Sequence, residues 1–192
     1  MRSIPISRRT LAVRLAALPL GIGVAGHGLA ADDEGSPVPE NGGLSQSSQS
    51  IHQVVSFGAS RELVYRALTA TAQFDAITRL SDAVDLLEAP GAKPTFIGPE
   101  LGGLLTLFGG YVTGRNLELL PGERLVQAWR AGSWPPGAYS IVRFALFERS
   151  GGTNLVFDHR GFPDGQGASL AYGWRVHYWE PLAKFLTRKE AP

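Results

Sequence analysis

The period of the hydrophobic pattern changes twice along this chain. "IHQVVSF", Ile51 to Phe57, is dense in β-branched and aromatic residues and reads as a strand. In "RELVYRALT" the apolar residues Leu63, Ala67 and Leu68 recur at helical spacing. Ser60 is placed to cap this helix, and Glu62 sits in its first turn, where the helix dipole favours an acid. A second short helix is predicted through "TAQFDAITRL", residues 71–80. Residues 81–99 carry the turn signal "APGAKP" and read as a loop, with room for short edge strands.

Beyond Glu100 the pattern becomes a meander of strands. "LLTLFGG", "YVTGRNLELL", "ERLVQAWRA", "YSIVRFALFE" and "TNLVFDHR" are separated by glycine- and proline-bearing turns at Pro121-Gly122, Pro135-Pro136-Gly137 and Gly151-Gly152. The glycines of "FGGYVTG" have no following helix N-terminus, so bulges in a bent sheet account for them better than a phosphate loop. A last helix is predicted from about Ser169 to Leu186. Trp174, Tyr178 and Phe185 form one stripe on it and Tyr172, Trp179 and Leu186 another, so that it reads as apolar on most sides and gripped by the sheet. Pro181 should bend it or break its hydrogen-bond ladder about one turn earlier. The order predicts an α+β fold: a curved antiparallel sheet wrapped around a long C-terminal helix.

Composition removes several chemistries. The 192 residues contain 0 cysteines, which excludes disulfides, thiolate catalysis and Cys-ligated metals. No spacing of histidines and acids forms a metal motif, and no cofactor is expected. The basic residues are unevenly placed. "SRRTLAVRLAALPLGIGVAGHGLA" holds the Arg8-Arg9 pair and, from Leu15 onward, an uncharged stretch broken by Pro19, too short and interrupted to span a bilayer. It resembles a twin-arginine export signal with Leu11 in place of the commoner phenylalanine, and Gly28 and Ala30 suit a peptidase site. The expected organisation is a signal peptide over 1–30, a Pro/Gly/Ser-rich disordered linker over 31–50 and one domain over 51–188. Cleavage after Ala30 lowers Lys plus Arg from 18 to 14 against 17 acids, so the formal charge moves from +1 to −3. The mature protein is then mildly acidic, periplasmic or otherwise exported, not held in a membrane, and without a basic patch for nucleic acid.

Five segments, "ASRELVYRALT", "FGGYVTGRNLELLPGERLVQAWR", "WPPGAYSIVRFAL", "GGTNLVFDHRGFP" and "GWRVHYWEPLAKFL", occur in this order. Together they resemble the activator of 90-kDa heat-shock protein ATPase homologue (Aha-type) family of the START-like (SRPBCC) superfamily. The resemblance covers Ile51 to about Leu186. It implies a helix-grip (START-like) fold, in which the sheet encloses the terminal helix and can leave a cavity.

Strand alternation places Leu155, Phe157 and His159 on the inner face and Asp158 and Arg160 on the outer, so Asp158-His159 is no dyad in space. The weak catalytic candidate is His159, as acid or base; the alternative is a hydrogen-bonded wall histidine. Arg143 groups with Tyr139, Ile141, Ala145 and Phe147, most simply on the solvated face. The candidate ligand site joins Trp129, Phe157, His159, Trp174, His177 and Tyr178; positions 174, 177 and 178 share one helix face. These rings either line a pocket or fill the core. The leading expectation is a binder of a small hydrophobic molecule. The alternatives are an enzyme of cyclase or hydrolase type using His159, and a co-chaperone-like ATPase activator homologue, with no particular protein partner indicated.

Overall fold

A computed structural model describes residues 50–190, with side chains through 188; the segment expected to be a signal peptide and the part of the expected linker before Ser50 lie outside the described residues. Seven strands form one antiparallel sheet: β1 (Ser50–Phe57), β2 (Phe96–Ile97), β3 (Leu104–Leu107), β4 (Val112–Leu120), β5 (Arg124–Ala131), β6 (Ser140–Arg149) and β7 (Gly152–Arg160). Their spatial order is β1-β7-β6-β5-β4-β3-β2. The first strand therefore closes against the last, in a register that runs from Ser50 opposite Arg160 to Phe57 opposite Thr153. A single bulge interrupts β4 between Asn116 and Glu118.

The glycines before it do a different job from the one expected. Gly109 and Gly110 lie at φ 67° and 93° in a 3₁₀ turn, Phe108–Gly110, that joins β3 to β4. A Cβ at Gly109 would strike the Leu86 carbonyl, and one at Gly114 the Ala128 carbonyl. Close backbone approach, not bulging, is what demands glycine there.

Helix α1 (Arg61–Thr69) starts as predicted, with the Ser60 hydroxyl accepting from the Leu63 N–H. Its buried stripe is Val64, Ala67 and Leu68, with Leu63 at the margin. Helix α2 (Thr71–Thr78) buries Phe74 and Ile77, and Thr71 bonds both the N–H and the C=O of Ile97, which anchors the short strand β2. A five-residue helix, α3 (Val84–Glu88), occupies the region read as a loop.

The last helix is continuous but not uniform. It runs as α4 (Gly167–Trp174), a π-helical segment (Arg175–Trp179) and α5 (Glu180–Glu190). Pro181 has no N–H to offer the His177 carbonyl, and Glu180 N–H reaches back five residues to Arg175. The ladder is thus altered one turn before the proline. Trp174, Tyr178, Trp179, Leu182, Phe185 and Leu186 are buried, but Tyr172 is 60% exposed beneath the Arg175 guanidinium. The helix is one-sided, which corrects the reading of it as apolar on most sides. Its buried face packs on the inner face of the sheet, where Leu125, Val142, Phe144, Leu155 and Phe157 are each nearly inaccessible. On the opposite face, Arg143 and His52 both bond Asp158, as the alternation requires.

Candidate functional site

Strand alternation turns Trp129 and Ala131 of β5 inward, and the same face of the last helix presents Trp174, His177 and Tyr178. Between these elements lies a cavity of about 240 Å³. Phe108 and Trp134 complete its aromatic wall. Phe108 is the one non-glycine residue among those described with a positive φ, 51°, an unfavourable conformation that holds its ring 5.3 Å from Tyr178 and 5.7 Å from Phe74.

Trp134 escaped the sequence reading because it lies in the "SWPPG" turn, where a tryptophan is ordinarily exposed. Arg130 donates to the carbonyls of Trp134 and Pro135, fastening the turn so that the indole points inward, 5.3 Å from Trp129. A large aromatic directly before Pro-Pro-Gly was the available signal.

Of the six ligand-site candidates, Trp129, Trp174, His177 and Tyr178 face the cavity. Phe157 and His159 do not. Phe157 is sandwiched behind the wall, 4.3 Å from Trp174 and 5.1 Å from Trp179 between ring centroids. His159 is fully buried, and both its ring nitrogens are occupied: Nδ1 accepts from Trp174 Nε1 at 3.0 Å, and Nε2 donates to Ser140 Oγ at 2.7 Å. Ser140 in turn donates to the Trp129 carbonyl. Burial pushes the imidazole pKa down to about 3. A neutral ring with no free lone pair has nothing to offer as a base; its place is to orient Trp174 and tie β7 to β6 through Ser140.

The cavity-facing polar atoms are in the opposite condition. Trp129 Nε1, His177 Nδ1 and Tyr178 Oη are the three buried side-chain polar atoms among the described residues without a protein hydrogen-bond partner. All three belong to residues that line this one cavity. Burial raises the Tyr178 pKa far above the phenol range, keeping the hydroxyl protonated. A hydrogen-bonding approach of the Trp129 indole N–H to the phenol oxygen pulls the other way, at a geometry too loose for either group to count as satisfied. Burial lowers the His177 pKa, against a smaller upward pull from Asp82. No Lys, Arg, Asp or Glu lines the cavity. Among the described residues no three His, Cys, Asp or Glu side chains converge as a metal site.

A curved seven-stranded antiparallel sheet gripping a C-terminal helix, with an aromatic cavity between them, defines an α+β helix-grip domain. The chain belongs to the activator of Hsp90 ATPase homolog 1-like protein family, whose model matches residues 58–187. The human activator of 90 kDa heat shock protein ATPase homolog 1 is 27% identical over 104 residues, which cover 54% of this chain and 31% of the relative. The chain thus spans about a third of the length of the curated relatives it matches. The structure of an HSP90 activator from Plasmodium falciparum superposes with a TM-score of 0.61 at 19% identity, covering 72% of this chain and 96% of that one. Protein MLL2253 from Mesorhizobium loti gives 0.59 at 20% identity, covering 74% and 100%. These likenesses establish the fold.

Proposed function

We propose that this protein is an exported carrier or sensor that encloses one small, mainly apolar molecule between its sheet and its last helix. The observation that carries this reading is the convergence of three unpartnered polar atoms on a single uncharged aromatic cavity. Leaving a buried polar group unsatisfied costs about 1–3 kcal/mol, so three in one place are characteristic of a site completed from outside the chain. The volume has the right scale, since a buried apolar cavity of about 150 Å³ accommodates benzene. Three of the chain's 4 tryptophans line the cavity, so occupancy should report directly in intrinsic fluorescence.

Native mass spectrometry of protein purified from its own host is the test. A co-purifying small molecule, lost together with a change in tryptophan emission on organic extraction, supports the carrier. A ligand-free mass together with unchanged emission against a library of ring compounds overturns it. Export is tested separately: the N-terminus of the exported protein should begin near Ala31, and Arg8-Arg9→Lys-Lys should abolish its appearance outside the cytoplasm. An intact N-terminus in the cytosolic fraction would refute export.

A second reading, stimulation of a chaperone ATPase, is favoured by the family and by the names of its relatives. It is weaker here because the match covers only a third of the human activator and because an export signal would remove the protein from a cytosolic chaperone. Addition of the domain to the host's chaperone, with ATP turnover as readout, decides it.

A further inference from the structure

If a ligand occupies the cavity, the polar atoms in the wall specify its chemistry beyond apolarity. Trp129 Nε1 is a donor only. The Tyr178 hydroxyl, kept protonated by burial, has a proton to donate as well as an oxygen that the indole N–H approaches too loosely to be satisfied by it. Both donors line one cavity and neither is fully spent inside the protein, so both can be given to a single acceptor oxygen. Neither is replaceable by solvent-exposed groups, because Trp129 is 5% and Tyr178 6% exposed. His177 Nδ1, on the same helix face, supplies a third partner whose sense is set by the tautomer.

The charge on such an oxygen is limited by what the wall lacks. An anion would be buried against aromatic rings with no Lys or Arg among the lining residues to offset the loss of its hydration. A pure hydrocarbon would leave both donors unpaired. The flat walls provided by Trp129, Trp134 and Trp174 favour a planar ring. The geometry points to an uncharged, ring-bearing carbonyl compound as the ligand class, its acceptor oxygen held jointly by the Trp129 indole N–H and the Tyr178 hydroxyl. This rests on the carrier reading above and adds discrimination to it.

Three probes of one shape test it: 2-acetylnaphthalene, 2-ethylnaphthalene and 2-naphthoate, titrated into the ligand-stripped full chain at neutral pH with tryptophan emission and calorimetry as readouts. The expected order is ketone tighter than hydrocarbon by about tenfold or more, with the carboxylate weakest. In Tyr178→Phe and in Trp129→Phe the preference of ketone over hydrocarbon should shrink severalfold while hydrocarbon affinity holds. If the hydrocarbon binds as well as the ketone, or the carboxylate binds best, the carbonyl assignment is overturned while the carrier reading stands. If none of the three binds and extraction yields no molecule, both fall. Should either variant fail to fold, the wild-type order alone still decides the assignment.

Discussion

His159 and His177 lie on neighbouring elements, the first wholly and the second partly buried, both with lowered pKa, yet their surroundings differ in kind. Around His159 every polar atom has a partner: Trp174, His159, Ser140 and the Trp129 carbonyl form one closed chain of hydrogen bonds. Around His177 the chain is open, with Nδ1, the Tyr178 hydroxyl and the Trp129 indole all unpaired. Trp129 and Trp174 belong to both regions at once. Trp174 spends its N–H on the closed side, whereas Trp129 gives its carbonyl to the closed side and its N–H to the open one. Residue type therefore does not distinguish structural from functional aromatic groups; hydrogen-bond completeness does.

The largest effect expected on the closed side is that of Phe157→Ala. It removes a ring packed against Trp174 and Trp179 and should cost about 3–5 kcal/mol in urea unfolding. A loss below about 1 kcal/mol would show that this region is not the packed half of the comparison.

Next in size is acid sensitivity. The folded protein holds His159 neutral down to about pH 3, whereas the unfolded chain takes up that proton near the ordinary value of 6.5. The unfolded state then binds more protons, so the contribution is complete above about pH 7 and is lost as the pH falls from 6.5 towards 3. At pH 5 the loss from this group is about 2 kcal/mol. His159→Gln should be less stable at neutral pH and should flatten this part of the profile; a slope identical to wild type would refute the assignment.

The smallest effect has the opposite sign. In the ligand-stripped protein Tyr178→Phe deletes an unsatisfied hydroxyl, and thermal unfolding should show stabilisation by about 1 kcal/mol. The ligand-bound form should gain nothing or lose. Destabilisation of the stripped protein would mean that the hydroxyl is satisfied internally, and the contrast between the two regions would collapse.

Much of this was legible in the sequence, for identifiable reasons. Alternation through "TNLVFDHR" assigned Phe157 and His159 to the inner face and Asp158 to the outer, where it bonds His52 and Arg143. Alternation fixes which side of a sheet a residue occupies but not how far along the strand the helix covers it. That is why Phe157 and His159 share a face with Trp129 and yet lie behind the wall. Helix spacing correctly grouped Trp174, His177 and Tyr178. Whether their rings would meet or leave a gap was not legible, because it depends on the inward turn of Trp134 and the positive φ of Phe108, neither of which has a periodic signature. Helix α3 was missed for a related reason: it is a single short turn, fitted to Gly109 rather than driven by an apolar stripe of its own.

The π-helical segment before Pro181 has a consequence for how the terminal helix can vary. Such a segment amounts to one residue inserted into an otherwise ordinary helix, and each residue of an α-helix advances the phase by about 100°. Upstream of it the helix presents Trp174 to the cavity; downstream it presents Leu182, Phe185 and Leu186 to the core. The two halves are thus keyed to one another by an angular offset that a single codon sets. Deleting one residue between Arg175 and Trp179, with Pro181→Ala to restore the ladder, would leave the anchor seated and swing Trp174 out of its contact with His159. Helical content would barely change, and the aromatic wall would lose its keystone.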